Sequence, residues 1–399
     1  MKILNCFYDM EVSPCSYDFV TFLFSAEICR VRRKMDTIKL VLVHGPNEKF
    51  RLDTIRSNQQ NQTFFDNVVV PAVSLLPQCI SFMWVQRDTL SLESVDPIFI
   101  FPRGYKIEAP TREYQSHELV SSRVRGDAIS YLTAPQYAKN FVADYVKSIS
   151  NGKPIITLTA REIERDNTNQ TRNLNLEVWR NALTELKKSF TPIVIRDSFS
   201  TYKEPLFENI IECPQASTHL PFRMALYEHA AMNFTKNTGP GTLLLSAKTN
   251  LVYFNEFDED VVAVTANWFK IHFGMLKGGQ FPMTSISKRV VWDSEDVETI
   301  ITLTENRNDF NKNNDKLNPF GDANQQMASF QAALGHLASY LSFNLLDEDV
   351  VLYKKIKNWR RFETGYIDSI ENFLRSREEK FVPGILDKLF LKEKITSER

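Results

Sequence analysis

Cysteine is scarce and unpatterned in this chain. Five residues (Cys6, Cys15, Cys29, Cys79 and Cys213) are scattered through 399 positions without a C-x-x-C pair. Neither a zinc site nor a disulfide framework is indicated. The expectation is reduced thiols in a cytoplasmic protein, with the inner face of the membrane left open. The Asn-x-Thr triplets at Asn61, Asn169 and Asn233 then carry no glycosylation signal. An excess of one charge is also missing. Lys and Arg number 48 against 49 Asp and Glu, a net charge of −1 without a long basic block, which argues against a nucleic-acid partner. No apolar window approaches the ~18 residues of a membrane span. Asp9 and Glu11 interrupt the apolar start, so MKILNCFYDMEVSP reads as a first strand rather than a signal peptide.

The familiar catalytic motifs are absent as well. There is no G-x-S-x-G, no G-x-x-x-x-G-K-[ST] and no H-E-x-x-H, which disfavours serine hydrolases, P-loop enzymes and zinc peptidases. The acidic run Asp258-Glu259-Asp260 reads as a solvated strand end. No metal and no cofactor are expected.

What is present is ordinary globular composition, 43% hydrophobic and 24% charged. The length suits two α/β halves plus an appendage. The chain is organised around 154–179, PIITLTAREIERDNTNQTRNLNLEVW. The β-branched run PIITLT predicts a buried strand. A polar loop follows, then a helical pattern on Leu174, Val178, Leu183 and Leu186, then the strand-like PIVIRD. Arg161, Arg165 and Arg172 thus lie in the loop at a strand's carboxyl end, where open α/β sheets bind ligands. A guanidinium there commonly meets phosphate or carboxylate through two parallel hydrogen bonds. Solvated loop arginines are the bland alternative.

Arg161 after the strand, Arg172-Asn173 and Trp179 together resemble the pattern TLR…RN…W of a set of bacterial glycosyltransferase-like proteins. Those have two Rossmann-like halves, the GT-B architecture. More loosely, the stretch resembles the donor half of the α1,6-fucosyltransferases, where a strand-end Arg contacts the nucleotide diphosphate. Here Thr159-Ala160 precede the Arg, and the loop is rich in Asn and Thr. Which of the three arginines takes the phosphate role stays open. The opening FYDMEVSPCSYDFVTFLFSAE, the segment Asn237-Thr238-Gly239-Pro240-Gly241 and the order GGQFP…RVVW also resemble the bacterial family.

The fold expected is therefore α/β, two Rossmann-like halves facing a cleft (GT-B type) with a helical C-terminal appendage. The boundaries are 1–125 for an acceptor half, 126–310 for a donor half and 311–399 for linker and appendage. Along the chain, the basic run RVRRK reads as a solvated helix end. NQQNQTFFDN reads as a loop, 103–125 as an irregular crossing, and TAPQYAKNFVADYVKSI as a helix capped by Thr133. LPFRMALYEHAAMNF reads as one helix, and IKNWRRFETGYIDSIENFLRSR as another.

The function expected is transfer of a sugar from a nucleotide-sugar donor to a glycan or glycolipid acceptor, in bacterial surface polysaccharide or glycoconjugate synthesis. Arg161, Arg165, Arg172, Asn173, Asn237, Gly239, Pro240, Gly241 and Gln280 are the donor-binding candidates. Close backbone approach at Gly-Pro-Gly suits an anion, and an ordinary turn is the even alternative. Asp9, Glu11 and Asp18 follow the first strand, where a carboxylate is placed to take an acceptor proton. Asp9 is the leading candidate. For Asp18, a residue favoured by the helix dipole is the competing reading. Two other functions stay open, a non-catalytic nucleotide- or glycan-binding protein and a sugar-nucleotide epimerase. Peripheral membrane contact and a homo-oligomer through the C-terminal helices stay open too.

Overall fold

A computed structural model describes residues 1–52, 56–92, 95–110, 116–162, 172–255, 257–259, 261, 264–311, 317–318, 321–359 and 364–397. The first half comprises β1 (Ile3–Asp9), α1 (Asp18–Arg32), β2 (Thr37–Val43), α2 (Asn58–Phe64), α3 (Val70–Ala72), β3 (Cys79–Val85) and β4 (Ile100–Phe101). After α4 (His117–Arg125) and α5 (Gln136–Ile149), the second half comprises β5 (Ile155–Thr159), α6 (Leu176–Leu186), β6 (Thr191–Ile195), β7 (Ile211–Glu212), α7 (Pro214–Thr218), α8 (Leu220–His229), β8 (Met232–Thr235), α9 (Gly241–Ser246), β9 (Leu251–Phe254), α10 (Ala266–Phe273) and β10 (Lys288–Val291). Helices α11 (Val297–Glu305) and α12 (Arg307–Asn311) lead to the last four, α13 (Ala323–Tyr340), α14 (Asp347–Trp359), α15 (Thr364–Arg375) and α16 (Ile385–Ser397).

Both sheets are parallel, with orders β3-β2-β1-β4 and β10-β9-β8-β5-β6-β7. Central strands such as Ile155–Thr159 and Thr191–Ile195 are buried at every position, as strands covered on both faces must be. The architecture is the expected one, two Rossmann-like halves with a helical C-terminus. In each sheet the chain reverses its direction of growth once. The reversal falls between β1 and β4 in the first and between β5 and β8 in the second. Crevices open at such switch points, at the carboxyl ends of the strands.

One apolar cluster runs through both halves, from Leu4, Phe19 and Leu40 through Val142 and Tyr227 to Leu243. A second unites α4 with the last helices, through Val120, Val124, Leu337, Tyr353 and Leu386. No helix among the described residues is long and apolar enough to cross a membrane.

Several local readings are corrected. Ser57 caps α2 and exchanges hydrogen bonds with Gln60, so NQQNQTFFDN begins as a helix with a capping box. Residues 117–125 are helical. Helix α5 starts at Gln136 behind Pro135 rather than under a Thr133 cap. The tail of LPFRMALYEHAAMNF turns at Ala230 and becomes β8, one of the two strands that form the switch point. In the segment expected to be one helix, α14 runs to Trp359 and α15 starts at Thr364, and 360–363 lie outside the described residues. The end of α1 is not solvated either. Arg32 and Arg33 both reach Glu348 at 2.8 Å, and Arg32 also bonds Glu118.

Candidate functional site

The second switch point gathers the strongest charge. Arg161, just past β5, is buried at 6% exposure. Arg172 precedes α6, whose first turn is fixed when Asn175 Oδ1 accepts from Val178 N at 3.3 Å. The Arg172 guanidinium donates twice to the Asn237 carbonyl, from Nε at 2.9 Å and Nη2 at 2.7 Å. Asn237 follows β8, so the two guanidiniums converge on the crevice between β5 and β8. Burial pushes the Arg161 pKa down to about 10, and the neighbouring Arg172 pushes it the same way. Burial lowers Arg172 too, against the fields of Tyr253, Asp258 and Asp197. Two buried like charges at close range raise each other's energy, and a bound anion relieves both.

Groups not singled out from the sequence complete this crevice. Asn255, just past β9, has no exposed surface, and its Nδ2 has no hydrogen-bond partner among the described residues. Leaving such a donor unmet costs about 1–3 kcal/mol. Tyr253 is held neutral by burial, although Arg172 and Arg161 oppose that shift. Asp258, read as solvated, is buried at 7% exposure. Asp260 and Arg165 lie outside the described residues.

Asn173 accepts from Lys236 Nζ at 3.1 Å through its carbonyl, which ties the loop before α6 to the end of β8. Gly239, Pro240 and Gly241 form the β8–α9 turn, and Gly241 N donates to the Thr238 carbonyl at 3.1 Å. Gln280 lies elsewhere. Its amide accepts from Val290 N at 2.7 Å and donates to Val290 O at 3.2 Å. Its amide is thus tied at both ends to the backbone of β10. Trp292 donates to Gly279 O at 2.8 Å and packs on Phe257, in keeping with a core role.

At the first switch point Asp9 ends β1. It was expected to face an opening, yet it is 2% exposed. Oδ1 accepts from Arg87 Nη2 at 2.5 Å and from Glu11 N at 3.0 Å, and Oδ2 accepts from Tyr105 Oη at 2.7 Å. The carboxylate therefore joins the ends of β1, β3 and β4. Glu11 is the more open group, with its side chain 43% exposed and 2.9 Å from Arg87. It lines a groove of about 650 Å³ with His44, Gln86, Arg87, Asp88 and Glu108. Burial and Lys49 lower the His44 pKa, so its imidazole is neutral at pH 7. Asp18 is in the first turn of α1 and accepts from Ser16 Oγ at 2.5 Å, in keeping with a helix-start role.

The two halves meet between these sites. Tyr17 Oη accepts from Arg223 Nη1 at 3.0 Å, and the Tyr17 carbonyl accepts from Thr242 Oγ1 at 3.3 Å. The loop after β1 therefore rests against the loop after β8.

These features define a class: an α/β protein of two doubly wound halves, with charged side chains at the switch point of each. No model of a known family and no curated protein matches the chain. Among solved structures it is similar to the glycosyl transferase family 9 protein of Veillonella parvula, with 9% identity over 64% of this chain and 80% of that one, at a TM-score of 0.36. It is also similar to the iron-containing dodecameric glycosyltransferase TibC of enterotoxigenic E. coli, with 13% identity, coverages of 94% and 76%, and a TM-score of 0.35. The E. coli ADP-heptose LPS heptosyltransferase II aligns at 10% identity, with coverages of 83% and 99% and a TM-score of 0.35. At these scores the functional reading rests on the site itself.

Proposed function

We propose that the chain is a nucleotide-sugar-dependent glycosyltransferase that transfers a sugar to a glycan or glycolipid acceptor. The observation that carries this reading is the buried Arg161 lying within the field of Arg172 at the β5/β8 switch point, with Arg172 bonded to the Asn237 carbonyl. A nucleoside diphosphate is an anion suited to two clustered guanidiniums. Its charge grows as it leaves, so preorganised cations favour the transition state over the ground state. They supply neutralisation that a metal supplies in other transferases. Asn173 and the Gly239-Pro240-Gly241 turn would border the same donor.

The first half would hold the acceptor in the groove beside Glu11 and His44. As the acceptor oxygen bonds to the anomeric carbon, Glu11 takes its proton, and the bond from that carbon to the diphosphate breaks. In this scheme Asp9 positions Glu11, through the Glu11 amide and the shared Arg87, rather than receiving the proton itself. Bacterial surface polysaccharide or glycoconjugate synthesis is the setting this reaction fits.

The saturated Asp9 also favours a second reading, a protein that binds nucleotide without transfer. A thermal-shift and turnover screen with GDP-, UDP-, CMP- and dTDP-sugars separates them. Stabilisation with slow hydrolysis or transfer supports the enzyme. Stabilisation with no turnover supports the binder, and no stabilisation by any of the four or by ADP-sugars refutes both.

A further inference from the structure

Three of the six histidines in the chain meet far from either switch point in the fold's topology. His117 opens α4, His272 lies in the last turn of α10, and His336 is on α13. Together they line a groove of about 490 Å³, with Lys270, Gln331 and Ser339 on its walls. The His117 and His336 rings are 4.6 Å apart. His336 Nδ1 is 3.1 Å from the His117 carbonyl. A carbonyl can only accept, so Nδ1 carries the hydrogen and Nε2 is left with the lone pair. Neither that Nε2 nor the His272 ring has a hydrogen-bond partner among the described residues.

The geometry points to this groove as a binding site for a phosphate-type oxyanion, held by the three imidazoles and Lys270. Its polar lining side chains are cationic, potentially cationic or neutral donors, set among Ile271, Ala328 and Ala332, and no carboxylate lines it among the described residues. Glu118, on α4 beside His117, is the acidic group whose field reaches His336. It is already shared by Arg32, Arg125 and the Tyr340 hydroxyl. Burial, and then the field of His117, lowers both His272 and His336, so the empty groove favours neutral rings. An oxyanion reverses that preference, because each protonated ring gains a charge-assisted hydrogen bond. Binding therefore takes up protons and tightens as pH falls. The groove is within the size range of small-molecule sites. Its walls come from the crossing helix, the second half and the C-terminal helices, so an occupant would tie the three together.

The test is calorimetric titration of the full chain with inorganic phosphate at about pH 6 and about pH 8, in buffers of different ionisation enthalpy. The expected result is affinity at least about tenfold higher at the lower pH, with net proton uptake. His272→Asn, at a half-buried position, and His117→Gln should each weaken the pH dependence and lower the net proton uptake. Arg172→Ala should leave both intact, which keeps this site distinct from the donor crevice. Adenosine monophosphate, titrated alongside, separates the two sources of the same chemistry. Much tighter binding than phosphate indicates a nucleotide, and equal binding indicates a free oxyanion. No binding at millimolar phosphate, equal affinity at both pH values, or a pH dependence unchanged by both His272→Asn and His117→Gln overturns the proposal.

Discussion

Tyr17 of the first half packs directly on Gly239 of the second: a Cβ at Gly239 would stand 2.7 Å from Tyr17 Cδ2 and 3.3 Å from its Cβ. The obstruction is the edge of the Tyr17 ring, whose hydroxyl is held by Arg223. Gly239→Ala should therefore push the β1–α1 loop away from the β8–α9 turn. Overpacking of this kind costs about 1–3 kcal/mol, measurable as a lowered melting temperature. Unchanged stability and turnover would show that the two loops part freely.

Arg172→Ala removes two hydrogen bonds to Asn237 and half of the clustered charge. Nucleoside diphosphate affinity should fall by about 1.5–3 kcal/mol if the guanidinium meets the phosphates. Calorimetry decides the matter, and an unaltered dissociation constant removes the phosphate role.

Glu11→Gln and Asp9→Asn separate proton transfer from positioning. The first should lower turnover by a factor of about 10²–10⁴ while donor affinity holds. Asp9→Asn breaks the bridge to Arg87 and Tyr105, so a loss of stability should accompany its loss of rate. Near-normal turnover of Glu11→Gln together with an inactive but fully stable Asp9→Asn would return the base role to Asp9.

Chelation is a separate check. Treatment with EDTA should leave sugar transfer unchanged, since the guanidinium pair carries the neutralising charge. Activity lost to EDTA and restored by Mg²⁺ would reverse that reading.

Much of the framework was legible because its strands are short, β-branched and bounded by turns. The first strand near the start of the chain, PIITLT and PIVIRD were expected where β1, β5 and β6 lie. Arg161, Arg172 and Asn237 were chosen from separate segments, and the sheet order brings them to one crevice. What escaped was non-local. MNFT looks like the end of a helix until Ala230 turns out of it, and pairing with β5 and β9 makes it a strand. Asn255 and Asp258 look like ordinary loop residues, because their burial comes from neighbours far along the chain. The full engagement of Asp9 needed Arg87 and Tyr105, which follow it by 78 and 96 positions.

Glu118 gives a pH-dependent prediction. Burial alone would raise its pKa, but Arg32 and Arg125 outweigh that and hold it down to about 2, against an ordinary 4.5. A folded-state pKa below the unfolded one adds stability that is complete above the unfolded value. That stability is lost as pH falls through the folded one. Breaking a buried ion pair costs about 3–5 kcal/mol, so Glu118→Gln should be destabilised by that order at pH 7. Urea titrations should show the gap to the parent chain narrowing as pH falls from about 4.5 towards 2. A gap that stays constant over that range would show that the charge of Glu118 is not what the cluster needs.

The bond from Arg33 to Glu348 spans 315 positions, and that gives the order of synthesis a physical meaning. A ribosome adding about 5–20 residues per second reaches the glutamate some 15–60 s after the arginine. Throughout that interval the first sheet can form, but Arg33 has no Glu348, and Arg103 lacks Asp349, its other late partner. Two cations destined for burial must stay in water until the last helices emerge. The amino-terminal half therefore reaches its final packing only after Glu348 and Asp349 have been made.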